Sequence, residues 1–192
     1  MNISLLIKLE KNNFIFYFLV ISWIFSLIIF YIFSSYINAG FLVDGYKFGN
    51  DTYFYLGAAR DIINGNLPAD KNAYSYMGFV IFLTFFKYFN IHLFFIVLFQ
   101  IFLTFVSAIL LFKITENLYS RLAGYFVIIF FFFYFPLQIR NFFILTDLIF
   151  INLSIISIYF LIFLNIRKFI FFIIFVALMI SFRPHGIIII PI

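Results

Sequence analysis

"FIFYFLVISWIFSLIIFYIFSSYI", residues 14–37, carries no charged side chain. A helix needs about 20 mainly apolar residues to cross a bilayer, and this run supplies them. It exceeds the roughly 7–15 residues of a signal-peptide core, and no clean small-residue cleavage site follows it. The run is expected to be retained as a first transmembrane helix. The rest of the chain agrees. Of 192 residues, 67% are hydrophobic and 10% charged, with a mean hydropathy of +1.20; soluble domains carry about 25% charged residues. Too few polar side chains exist to cover a water-soluble globule. The sequence predicts an all-α integral membrane protein, a single transmembrane domain over residues 1–192.

Further apolar runs near 91–112, 122–139, 143–165 and 169–192 bring the expected number of spans to about five. Two segments depart from this pattern. Residues 38–76 form a polar insert, and "GFVIFLTFFKYF", residues 78–89, is too short to cross. The latter is expected to be an interfacial or re-entrant helix, with Lys87 snorkelling to water. Together, 38–90 make an extracytoplasmic loop with interfacial helices. Lys8, Lys11, Lys113, Arg121, Arg167 and Lys168 fall on one side of a five-span chain, which places that side and the N-terminus in the cytoplasm. The absence of Cys removes disulfides and thiolate metal sites. The net charge of +5 is spread over membrane flanks and offers no face for nucleic acid. The ending "GIIIIPI" and the small number of spans suggest the front portion of a longer protein.

The scarce charges then need reasons. In "FGNDTYFYLGAARDIINGN", residues 48–66, Asp51 heads a segment of helical length. One reading makes it a helix cap, satisfying free backbone N–H groups at the positive end of the dipole. The other makes it a general base at the membrane surface beside Tyr55, with Ala58 and Ala59 leaving room for a substrate. The two are compatible. Asp61 falls roughly on the same face, and Arg60 on the opposite one. In "RNFFILTDLIFINL", residues 140–153, Asp147 sits in a span, where a carboxylate costs a few kcal/mol and faces a cavity or a partner. Arg140 lies seven residues earlier, two turns up the same expected helix face. Either the two form a structural pair, or they line a polar pocket at the outer membrane boundary.

Arg183 and His185, in "SFRPHG", residues 181–186, interrupt the fifth run, where Pro184 would kink the helix and Gly186 let it flex. An Arg there suits a phosphate, bound in bidentate fashion. His185 is better read as an interfacial residue than as a metal ligand, since the only other His, His92, sits at another helix start. Tyr74 and Tyr76, in "NAYSYMGF", fit an aromatic belt.

The order of these segments, "GNDTYFYLGAARDIINGNLP", "YSYMGF", "RNFFILTD" and "SFRPHG", resembles the N-terminal part of the GT-C glycosyltransferases. These are the polytopic enzymes that include protein O-mannosyltransferases and aminoarabinose transferases. By that resemblance Asp51 matches the catalytic carboxylate of the first outer loop, Tyr55 and Ala59 the helix after it, and Tyr74 to Gly78 the turn. Arg140 and Asp147 match the second polar position, and Arg183-Pro184 the later Arg-Pro step. The resemblance implies transfer of a sugar from a polyprenyl-phosphate-linked donor to a lipid, glycan or protein acceptor in the cell envelope. The reaction would run at the extracytoplasmic face of a bacterial plasma membrane. Asp51 would act as base, Arg140 and Arg183 would hold phosphate, and Tyr55, Asp147 and His185 would complete the substrate site. No cofactor is required, although Asp51 with Asp147 offers a place for the divalent cation some members use. The rival class is a transporter or lipid-carrier subunit. The polar insert argues against it, as does the lack of paired broken helices in two repeats. A third reading is an inactive fragment of a transferase.

Overall fold

A computed structural model of the chain describes residues 14–36, 41–43, 46–48 and 50–184, with side chains for 14–32 and 51–184. Lys8, Lys11, Asp44, His185, Gly186 and the end of the last apolar run lie outside the described residues. Helices dominate: α1 (Phe14–Tyr36), α2 (Asn50–Ile63), α3 (Met77–Tyr88), α4 (Phe94–Leu118), α5 (Arg121–Phe133), α6 (Phe135–Gln138), α7 (Thr146–Ile162) and α8 (Ile166–Phe182). Two 3-10 turns, Lys71–Tyr76 and Ile139–Phe142, join them. Between α1 and α2 a short antiparallel hairpin pairs β1 (Phe41–Val43) with β2 (Tyr46–Phe48). Its sequence signal is the Asp44-Gly45 dipeptide that separates the two strands.

Helix ends follow local chemistry. Ser120 Oγ accepts from the Ala123 N–H at 3.2 Å and opens α5, while Asn165 Oδ1 accepts from Lys168 N–H at 2.8 Å and opens α8. At the end of α2, Gly65 takes φ +78°. Asn66 N–H reaches the Asp61 carbonyl at 2.9 Å and Gly65 N–H the Ile62 carbonyl at 3.0 Å, the paired bonds of a Schellman cap.

Two helices, α1 over Phe14–Ile32 and α4, are long and apolar enough to cross a membrane. A third crossing results if α5 and its continuation to Phe142, bent by 58°, count as one. α1 shows the pattern of a lipid-facing helix. Tyr17, Phe18, Ile21, Phe25 and Ile28 are exposed, whereas Leu19, Trp23, Ser26 and Leu27 are buried against the bundle. An apolar surface this continuous is unsuited to water, so the chain is membrane-associated. α4 is the central helix: it packs on α5 and α7, α7 packs on α8, and α8 reaches α3. Trp23 locks α1 to this frame, its indole stacked on Phe132 at 4.5 Å and near-parallel to Phe105 at 6.2 Å.

The short apolar segment expected at 78–89 is α3, and it does not run antiparallel to α2. Tyr55 meets Phe79 near the starts of both helices, with ring centroids 5.0 Å apart, while Arg60 and Ile63 lie beside Lys87 near their ends. The helices therefore point the same way, and residues 64–76 carry the chain back. That return is tied by Ala69 N–H to Asp61 Oδ2 at 3.0 Å and Asn72 N–H to Asp70 Oδ1 at 2.8 Å. Ala58 and Ala59, read from the sequence as room for a substrate, are instead buried at 6% and 0% exposure. Their small side chains let α2 seat closely on its neighbours. Gly78 does the same for α3 against α8, because a Cβ there would lie 2.7 Å from the Ser181 carbonyl carbon.

Candidate functional site

The site begins at a break in an apolar run. The sequence suggests one span over 122–139, but α5 ends at Phe133, and Tyr134 is extended (φ −73°, ψ 94°). Pro136 explains the stop. It has no N–H to return to the Phe132 carbonyl, and its ring would crowd that carbonyl in a continuous helix, whereas in the first turn of α6 the missing donor costs nothing. The chain then makes one turn of α6, the 3-10 turn Ile139–Phe142, and an extended step through Phe143 to Leu145 before α7 begins.

Non-helical backbone among apolar helices must have its polar groups met by side chains. Amides passed over in the sequence supply these bonds. Gln100, fully buried on α4, donates from Nε2 to the carbonyls of Asn141 at 3.0 Å and Phe143 at 2.8 Å. Asn141 Nδ2 donates to Gln138 Oε1 at 3.1 Å, and Thr104 Oγ1 donates to Asn141 Oδ1 at 2.9 Å. Asn152 on α7 donates to Thr104 Oγ1 at 3.1 Å, and Trp23 Nε1 on α1 donates to Gln138 Oε1 at 2.8 Å. α1 and α4 are thereby bonded to the break, and α7 is tied to it through Thr104. The signal was present as Gln and Asn inside apolar runs, but only folding shows what they face.

What the break presents is a charge cluster. Asp147 lies in the first turn of α7, where the helix dipole favours a carboxylate. It is therefore at a helix start and not in mid-helix. Its Oδ2 accepts from Arg140 Nη1 at 3.0 Å, and its Oδ1 accepts from Arg183 Nη1. Arg140 and Asp147 do pair, though not along one helix face, because the helix that would align them is interrupted. Arg183 arrives from α8, which stops at Phe182 with Arg183 extended (φ −154°, ψ 127°), as expected before Pro184. Its guanidinium also stands 5.9 Å from the centre of the Phe150 ring. Two guanidiniums around one carboxylate leave one positive charge over, and all three side chains remain partly exposed.

α2 docks onto the same break. Thr52 Oγ1 donates to the Ile144 carbonyl at 3.2 Å. Tyr55 is buried, edge-on to Tyr76 at 5.4 Å and to Phe79. Burial raises its pKa above the ordinary 10.0, and Tyr76, Asp51 and Asp147 add to the rise. A hydrogen bond with Thr146 opposes it. The phenol is neutral at neutral pH, and both carboxylates act on it. Asp51 is exposed in the first turn of α2, one residue inside the helix, which starts at Asn50. There its carboxylate suits the positive end of the helix dipole.

The structure thus brings Arg140, Asp147 and Arg183 into contact, with Asp51 and Asp147 both within electrostatic reach of Tyr55 and Tyr76 packed against that ring. Tyr74 is exposed. The donor set does not suit a divalent cation: both Asp147 oxygens are engaged by guanidiniums, which repel one. Among the described residues no three His, Asp or Glu gather.

An apolar groove of about 490 Å³ lies between α1 and α4. Ile24, Leu27, Tyr31, Val97, Ile101 and Phe142 line it, and Phe142 is two residues from Arg140. At the opposite end of the helices, Lys113, Glu116 and Tyr159 share a surface recess, and Lys168 sits 5.9 Å from the Tyr159 ring centre. The start of α1 lies at that end too, since Phe16 meets Phe112 at 5.7 Å. Comparison with protein-family models, with characterised proteins and with solved structures finds no match to this chain.

Proposed function

We propose that the chain is a glycosyltransferase of the GT-C kind. It would move a sugar from a polyprenyl-phosphate-linked donor to an acceptor at the extracytoplasmic face. The observation that carries this reading is the Arg140–Asp147–Arg183 cluster, two guanidiniums around one carboxylate, with Phe142, two residues from Arg140, in the lining of an apolar groove. A lipid-linked sugar phosphate needs both features: a dry channel for its chain and guanidiniums for its phosphate. In this reading α7 and α8, each 17 residues, complete five spans with α1, α4 and the bent α5 segment. The end bearing Lys113, Arg121 and Lys168 faces the cytoplasm.

Asp51 is the base. It is the exposed carboxylate of the group, whereas both oxygens of Asp147 are occupied by Arg140 and Arg183. Asp51 takes the proton of the acceptor hydroxyl as its oxygen attacks the anomeric carbon. The bond from that carbon to the donor phosphate breaks, and the electron pair leaves with the lipid phosphate, whose charge Arg140 and Arg183 offset. Tyr55 keeps its proton and holds the start of α2 against the break.

The test uses the chain reconstituted in vesicles with polyprenyl-phosphate-linked sugars. Asp51→Asn is expected to lower transfer by roughly 100-fold or more while membrane insertion is unchanged. Wild-type rates in that variant would remove Asp51 from the chemistry.

A further inference from the structure

The far ends of α2 and α3 hold a second concentration of positive charge that transfer chemistry does not use. Arg60, Lys87 and His92 line a cavity of about 390 Å³ with Ile63, Asn90 and Ile91. Among the described residues neither Arg60 nor Lys87 has an ion-pair partner. The nearest carboxylate in the sequence, Asp61, is taken up by the Ala69 amide. His92 turns its Nδ1 to the Phe94 N–H at 3.2 Å. Arg60 is exposed and Lys87 partly buried; their like charges repel, and loss of solvent around the ammonium is costly, so an anion at this recess would be favoured.

The surroundings indicate what compensates them. Phe85, Tyr88, Phe89 and Phe95 are exposed close by in sequence to Lys87 and His92. Exposed aromatics around a cationic recess are the arrangement of a membrane interface, where rings meet acyl chains and cations meet headgroups. Arg60 lies nine residues after Asp51, about 14 Å along α2 at 1.5 Å per residue, so it stands at the other end of this helix from the proposed base.

We propose that the Arg60–Lys87 cavity binds a phosphate group, that of an anionic phospholipid seated at the end of the α2–α3 pair. The lipid anchors this pair at the membrane surface and so fixes the angle at which Asp51 is presented. Burial, and then the neighbouring Arg60 charge, lower the Lys87 pKa from its ordinary value; a bound phosphate relieves both. This site does not depend on the transfer reaction.

The experiment follows thermal unfolding of the full chain in neutral detergent by Trp23 fluorescence. Added phosphatidylglycerol is expected to raise Tm by roughly 5 °C, and phosphatidylcholine not to. Arg60→Gln/Lys87→Gln loses the shift, and the charge-conserving Arg60→Lys/Lys87→Arg pair keeps it. Lys87→Gln alone serves where the double variant fails to fold. A shift from millimolar inorganic phosphate that the same variants abolish also supports the site and names free phosphate as its source. Equal shifts from both lipids, or a phosphatidylglycerol shift untouched by the variants, overturns the proposal.

Discussion

Arg140 and Arg183 at one end of α2 and Arg60 and Lys87 at the other are both pairs of cations at the rim of an apolar bundle. The first pair encloses a carboxylate and the second does not. The first is also held by a scaffold of buried amides, whereas the second stands on two helix ends and a loop. Asp147 is what lets two guanidiniums be brought together before any ligand arrives, so the first site is preorganised. Arg60 and Lys87 have only solvent or a ligand to separate their charges. Their geometry therefore tolerates change, and their stability effect has the opposite sign.

The largest effect should come from the scaffold. Gln100→Leu leaves the Asn141 and Phe143 carbonyls without partners in an apolar setting, where each orphaned group costs about 1–3 kcal/mol. A loss of about 3 kcal/mol is expected in detergent unfolding, together with reduced transfer. Retained stability would mean the break supports itself. Next comes the carboxylate. Asp147→Asn leaves two guanidiniums facing each other, and the loss of a buried partner costs about 3–5 kcal/mol. Partial exposure here reduces that to about 2 kcal/mol. Because the charge is what matters, Asp147→Glu should recover part of the loss; equal losses for Asn and Glu would point to shape instead.

Lys87→Gln should do the reverse. Removing one of two uncompensated cations is expected to stabilise the lipid-free protein by a few tenths of a kcal/mol after solvent screening. A clear destabilisation would mean that Lys87 has a partner the comparison denies it. The smallest effect is in its pH dependence. A depressed pKa means the folded chain gives up the Lys87 proton before the unfolded chain does. Below the folded pKa the penalty of the charged ammonium is fully present, and it fades as pH rises toward the ordinary 10.5. The advantage of Lys87→Gln over wild type should therefore shrink over that window; a constant difference would place its origin in packing.

Much of the outline was legible in the sequence. The segment 14–37 and the run from 91 could be recognised as membrane helices, because length and hydropathy are local properties that no tertiary contact reverses. The short helix at 78–89 was legible for the same reason. Asp51, Arg140, Asp147 and Arg183 stood out because charge in an apolar chain requires explanation. Pro136 was equally visible, yet the apolar run around it hid the break it makes.

Other features could not be read from spacing. That Ala58 and Ala59 pack rather than admit a substrate depends on which helix covers them. The same holds for Gln100, whose amide has meaning only opposite two carbonyls some 40 residues away in sequence. The parallel course of α2 and α3 arises from a return segment that periodicity does not describe, and it brings Arg60 to Lys87. The sequence by itself determined the solvent this protein lives in and which residues were too polar for it. Tertiary structure alone decided which of those residues meet, because the hydrophobic effect sorts side chains by environment without regard to partner, while hydrogen bonds and ion pairs are made only at contact.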